Sequence, residues 1–227
     1  MVEMLVENLP FLLGGAKNTF IVSVLGMVIA LILGVPIGLM RLSKIPWVRS
    51  SALLYIEVWR GIPFIISLLF LYFVLPEILK LFWKVEIGQF MAMLLTCVLW
   101  TSANAAEIVR GSVQAISFGQ TEAGMALGMT YFQRMRLIIL PQAVRIMLPP
   151  MIGLFTLLLK GTAIGFIIEF RELIRVGQIT IERLIMVRRE TASIEIYTII
   201  MILYFLMCYP LTRLSAYFEK KLAKGKN

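Results

Sequence analysis

Residues 19–40 read TFIVSVLGMVIALILGVPIGLM, a run without a single charge. A bilayer crossing takes about 20 apolar residues in helical form, so this stretch has the length of one span. Within it, small residues recur every four positions, at Gly26, Ala30, Gly34 and Gly38. On a helix these share one stripe, where a second backbone can come close. The spacing predicts a helix that crosses a membrane and packs tightly on a neighbour.

Four more apolar segments follow, at about 61–79, 90–109, 148–168 and 194–214, the first of them interrupted by Pro63 and Pro76. The expected fold is therefore all-α and integral to the membrane, with five spanning helices in a single domain over residues 1–227. The third segment holds Thr101-Ser102-Ala103-Asn104-Ala105-Ala106-Glu107, a composition unsuited to facing lipid. Hydrophobic residues make up 60% of the chain, well above an ordinary soluble domain. No internal repeat is visible, and an odd number of spans fits poorly with the inverted repeats of many secondary transporters.

The net charge is +9, but the cations flank apolar runs and do not mix with aromatics. Nucleic acid is not an expected partner; membrane lipid is. Cys97 and Cys208 lie inside apolar runs and read as buried small hydrophobes. Glu3 and Glu7 with no early cationic region do not read as a cleaved signal peptide. The chain has no histidine and no aspartate, which removes a histidine-based triad and zinc chemistry. It also lacks a G-x-x-x-x-G-K-S/T loop for holding ATP. Neither catalysis nor a metal or cofactor bound by this chain is expected.

Short-loop cations set the orientation. Arg41, Lys44 and Arg49 follow the first span, Arg134, Arg136 and Arg145 follow the third, and Lys220, Lys221, Lys224 and Lys226 end the chain. Five spans put all three groups on one side, which is then cytoplasmic, with the N-terminus outside and the C-terminus inside. The segment 169–193 would be external. Arg171, Arg175, Arg183, Arg188 and Arg189 oppose Glu169, Glu172, Glu182, Glu190 and Glu195 in and just beyond it, so it reads as a nearly neutral amphipathic cap. The lysine-rich end, from about Lys220, reads as a solvated tail.

Residues 110–147 are too polar to span yet carry signs of order. Ser117-x-x-Gln120 and Thr130-x-x-Gln133 both have capping-box spacing. Gly128 stands where a left-handed residue would end a first helix, and Pro141 where a second would stop. The segment predicts helix, glycine turn, helix. Its first helix presents small residues around Glu122, Ala123 and Gly124. Such a surface could dock into a partner's groove or pack on its own membrane domain; the residues alone leave both open.

Glu122-Ala123-Gly124-x3-Gly128-x9-Ile138-x-Leu140-Pro141 resembles the EAA signature of permease subunits in binding-protein-dependent ABC importers. Glu107-Ile-Val-Arg110-Gly111-Ser112, Gly119-Gln120 and Pro141-Gln142-Ala143-x-Arg145 through Pro149-Pro150 are similar to the polar amino acid branch. So is Tyr55-x-Glu57-x-x-Arg60-Gly61-x-Pro63. The resemblance implies a type I importer permease in a bacterial inner membrane that moves an amino acid. It implies that Glu122, Ala123, Gly124, Gly128 and Pro141 belong to a cytoplasmic coupling insert docking on a dimer of ABC ATPases. ATP and magnesium would be held by those partners. It further implies a second permease subunit, identical or related, and a periplasmic or lipid-anchored solute-binding protein.

A charge at the centre of a spanning helix costs about 2.5–3.5 kcal/mol on insertion scales, so such residues usually face a cavity or one another. Glu57 and Arg60, spaced i, i+3, read as a structural charge pair. Trp100, Asn104, Glu107, Lys160, Gly161 and Thr162 are the candidates for lining a substrate path. Lys160-Gly161-Thr162-Ala163 departs from the Lys-Asp-Thr-Ser of many relatives, and Gly153 replaces a frequent asparagine. Trp100-Thr101-Ser102 also replaces a tyrosine-containing segment. These changes point to a less charged amino acid. Another small amine or a sulfur-containing solute is the alternative substrate, and a channel or receptor without an ATPase is the alternative class.

Overall fold

A computed structural model describes residues 2–81, 86–188 and 192–224, with side chains omitted at 2–6, 188 and 224. The described residues form helices and connecting turns, without strands. α1 is Val2–Met40 and α2 is Pro46–Gly61. α3 is Phe64–Lys80, α4 is Gln89–Gln114 and α5 is Phe118–Ala126. α6 is Tyr131–Ile168, α7 is Leu173–Arg188 and α8 is Ser193–Lys224. Four of these helices are long and apolar enough to span, and α2 with α3, bent by 100°, can supply a fifth crossing.

The small-residue stripe explains the central packing. A Cβ on Gly26 would stand 2.8 Å from the Cβ of Cys97, one on Gly34 would be 2.6 Å from the Ser102 carbonyl oxygen, and one on Gly38 would be 2.5 Å from that of Ala106. Contact this close is possible only where the side chain is absent. α4 answers with its own small residues: Thr101, Ser102, Ala103, Ala105 and Ala106 are fully buried. Tyr55 on α2 joins the same helix through a 2.7 Å hydrogen bond between its hydroxyl and that of Ser102.

Several boundaries differ from the sequence expectation. α1 begins well before Thr19, because Lys17 and Asn18 interrupt the apolar run without interrupting the helix. Asn18 Nδ2 donates to the Arg171 carbonyl at 2.9 Å, giving that polar residue a tertiary role. The segment before Gly61, expected as a loop with Arg49, is the helix α2. α3 begins behind Pro63, which stands at its N-cap. α8 continues through Lys220 and Lys221 to Lys224, so the solvated end is helical, with Lys220 and Lys221 exposed on it. Lys226, Arg189 and Glu190 lie outside the described residues.

Pro76 and Pro141 were expected to break helices, and neither does. Each follows a turn of wider π geometry, at Phe70–Val74 and Met135–Ile139. Leu75 N–H donates to the Phe70 carbonyl and Leu140 N–H to that of Met135, five residues back. Proline lacks a donor and its ring crowds the carbonyl four residues earlier. The widened turn relieves that clash while the axis continues. The insert's second helix therefore does not stop at Pro141; it runs on into the 148–168 span as one helix, α6.

α7 occupies the 169–193 segment and is amphipathic, as its charge pattern suggests. Its Leu173, Val176, Ile181 and Leu184 form a second core cluster with Leu12 of α1 and Ile196 and Ile200 of α8. Gly15 of α1 gives it room: a Cβ there would lie 2.9 Å from the Cβ of Val176. α7 thus packs on the N-terminal half of α1. The turn after α4, the middle of α6 and the end of α8 share a groove lined by Ile116, Arg145 and Lys221. Gly38, near the end of α1, packs on Ala106 and Val109 of α4. The described members of the three cationic groups therefore gather at one end of the molecule, away from α7.

At the α7 end lies a carboxylate with no cation partner among the described residues. Glu172 is fully buried. Its oxygens accept hydrogen bonds from the backbone N–H groups of Ile174 at 2.7 Å and Arg175 at 2.8 Å, capping α7. The Tyr204 hydroxyl of α8 adds a 3.3 Å bond. Burial pushes this carboxyl up to about 7 from the ordinary 4.5. The folded chain then holds the proton more tightly than the unfolded chain. This contribution to stability is complete below pH 4.5 and is lost as pH rises through about 7. Thermal unfolding of the detergent-solubilised protein is expected to shift to lower temperature between about pH 5 and pH 8. Glu172→Gln should flatten that slope; an unchanged slope would assign it to other groups.

Candidate functional site

Two regions carry the candidate residues, and the first is the insert around α5. Three local devices give it a defined shape. Met129 N–H donates to the Gly124 carbonyl at 3.0 Å and Gly128 N–H to that of Met125 at 2.9 Å, a Schellman closure. Gly128 has φ +72°, the left-handed conformation such a closure needs. Thr130 then caps α6 with a full capping box: its hydroxyl accepts from Gln133 N–H, and Gln133 Oε1 accepts from Thr130 N–H at 2.8 Å. The expected box at Ser117 does not form. Ser117 is the N-cap, but its side chain makes no cap bond, and Gln120 N–H goes to the Ser117 carbonyl.

Gly124 is the contact between the two helices of the insert. It is buried, and a Cβ there would lie 2.7 Å from Cδ of Arg134 on α6. Arg134 Nη1 in turn donates to the Met129 carbonyl at 2.5 Å, tying the turn to the helix. Of the five motif residues, Glu122 and Ala123 are exposed on α5, whereas Gly124 and Gly128 set its position and exit. Pro141 is exposed on α6, past the π turn. The small surface expected around Glu122 is joined by large apolar groups. Phe118, Leu127 and Phe132 are each more than two-thirds exposed, and nothing in their sequence pattern separated them from core residues.

The second region is a pair of cavities on α6. One, of about 330 Å³, is lined by Arg60, Asn104, Glu107, Ile108, Pro150, Gly153, Leu154 and Leu157. It holds one cation, one carboxylate and one amide against apolar walls. Glu107 is anchored by Arg110, whose Nε lies 3.0 Å from both carboxylate oxygens. This partner escaped the sequence reading, although it stands one helical turn on. Asn104 Nδ2 donates to the Trp100 carbonyl at 2.8 Å, which leaves its oxygen free to accept.

The expected Glu57–Arg60 pair does not form: among the described residues neither takes part in a salt bridge. Both are exposed, and Arg60 contributes to the cavity wall with Glu107. Spacing of i, i+3 permits pairing only where both side chains turn toward each other along the helix.

Lys160 lines a neighbouring cavity of about 440 Å³ with Thr156, Thr212, Ser215 and Glu219, sharing Gly153 and Leu157 with the first. Trp100, Gly161 and Thr162 line neither of these two cavities. Trp100 packs edge-on against Phe64 with ring centroids 5.6 Å apart. A Cβ on Gly161 would lie 3.9 Å from the same Phe64 ring. Thr162 is fully buried, and its hydroxyl donates to the Leu159 carbonyl at 2.7 Å.

The chain is similar to known transporter subunits. YckA, a probable amino-acid ABC transporter permease of Bacillus subtilis (strain 168), is 32% identical over 221 residues, covering 97% of this chain and 93% of its own length. GlnP, the glutamine transport system permease of Escherichia coli (strain K12), is 34% identical over 215 residues, 94% of either chain. A crystal structure of an amino acid ABC transporter with histidines superposes at TM-score 0.84 and 33% identity, over 96% of both chains. A chain of the inward-facing MetNI methionine ABC transporter shares the fold at TM-score 0.72 and 19% identity, covering 93% of this chain and 98% of its own. The model of the binding-protein-dependent transport system inner membrane component matches residues 26–224. The chain belongs to that family.

Proposed function

We propose that this chain is the translocating subunit of an amino acid importer, driven by ATP hydrolysis on a separate ATPase dimer and fed by a solute-binding protein. The carrying observation is α5: a short exposed helix, clamped by Gly124 on Arg134 and closed at Gly128, at the cationic end of the molecule. A rigid exposed helix transmits a partner's movement, because its exit is fixed and its far end continues as α6. Glu122, Ala123, Phe118 and Leu127 would meet the ATPase. Clustering of the cations supports a cytoplasmic assignment of that end, with the C-terminus inside and α7 toward the binding protein. Two such subunits, identical or related, would enclose the path.

Arg60, Asn104 and Glu107 suit a zwitterionic solute: a guanidinium for the carboxylate, and a carboxylate with an amide oxygen for the ammonium. Ile108, Leu154 and Leu157 suit an uncharged side chain. Proteoliposomes containing the whole transporter are expected to accumulate at least one amino acid only with ATP and the binding protein present. Arg60→Ala should raise the apparent KM about tenfold or more, the scale of one charged hydrogen bond, with basal ATP hydrolysis unchanged. Uptake of a small amine or a sulfur compound, with no amino acid accepted, would reject the substrate class while leaving the coupling intact.

A further inference from the structure

A groove of about 1110 Å³ lies at the cationic end, between the turn after α4, the middle of α6 and the last turns of α8. Its walls are apolar: Ile116, Ile146, Leu148, Pro149, Phe218 and Leu222. Its polar members are Gln142, Arg145, Glu219 and Lys221. Arg145 and Lys221 are exposed and form no salt bridge among the described residues. Glu219 accepts a 3.4 Å bond from the Ser215 hydroxyl, which also donates to the Pro149 carbonyl at 3.0 Å and so joins the two walls. The apolar surface continues outward along the span, where Leu148 and Leu214 are exposed.

We infer that this groove is a site for an anionic phospholipid. The two cations meet the headgroup phosphate, and an acyl chain follows the apolar wall toward the bilayer. The occupant follows from charge and depth together. The groove straddles the boundary where the apolar parts of α6 and α8 give way to Arg145 and Lys221, and a basic pocket between spanning helices at this level complements an anionic headgroup. A zwitterionic lipid would offset the same phosphate with its own cation and gain less.

The test is native mass spectrometry of the detergent-solubilised full chain, equilibrated with equal amounts of phosphatidylglycerol and phosphatidylcholine. Preferential retention of phosphatidylglycerol is expected. Each cation near an anionic group is worth a factor of about five, so R145Q/K221Q should lower the preference roughly twentyfold, with phosphatidylcholine retention unchanged. Lys220→Gln, outside the groove lining, should keep the preference. Equal retention of the two lipids overturns the proposal, as does an unchanged preference in the double variant. An equal loss with Lys220→Gln would assign the attraction to the basic end as a whole and also overturn it. Should the double variant keep its lipid preference but no longer co-purify with a protein subunit, the groove seats a protein and not a lipid.

Discussion

Gly34→Leu is expected to remove the folded chain from the membrane. The Cβ alone would stand 2.6 Å from the Ser102 carbonyl oxygen and 2.9 Å from the Cβ of Ala105. Neither is the far end of a flexible side chain, so α1 and α4 must separate. Overpacking a well-filled core costs about 1–3 kcal/mol when neighbours can shift, and here the obstacle is backbone. Separation would also loosen the hold of α1 on Ala106 and Val109 farther along α4. Ile32→Ala, at a residue 66% exposed on the same helix, is the matched control and should leave membrane levels unchanged. Wild-type levels and melting for Gly34→Leu would contradict the packing account.

Gly128→Pro is expected to abolish stimulated ATP hydrolysis while leaving the inserted chain in place. Proline fixes φ near about −65°, opposite in sign to the +72° at this turn. It also removes the N–H that donates to the Met125 carbonyl. α5 would lose its exit angle, and Arg134 its bond to the Met129 carbonyl, without any change to the spans. Gly128→Asn should retain much of the activity, because asparagine tolerates the left-handed region. Glu122→Lys provides the complementary variant: it reverses an exposed charge without touching the turn, and should uncouple hydrolysis with the fold intact. Full stimulation in both Gly128→Pro and Glu122→Lys would reject α5 as the coupling element.

Much of this was legible in the sequence, for physical reasons that also mark where reading fails. The stripe from Gly26 to Gly38 foretold its own partner surface, because small residues at helical spacing serve close approach. Gly128 and the Thr130 box were readable because capping depends on three or four adjacent residues. Ser117 had the same spacing but made no cap, since spacing does not settle which rotamer the hydroxyl adopts. Pro141 misled because a proline signals a lost hydrogen bond, and a π turn absorbs that loss as well as a helix end does. Arg60 misled because i, i+3 spacing to Glu57 is visible in sequence, whereas its place in a cavity wall shared with Glu107, on another helix, is not. The same holds for the cradle of Gly124: Arg134 lies on the next helix, and only folding brings them together.

Coupling depends on contact between the exposed face of α5 and an ATPase. A photo-crosslinking residue placed at Ala123, in cells carrying the complete transporter, tests this most directly, with the same residue at Ile32, exposed on α1, as control. An adduct whose second component is a P-loop ATPase is expected from position 123, and none from position 32. An intact, transporting complex that yields no ATPase adduct at position 123, or yields one equally at position 32, would contradict it.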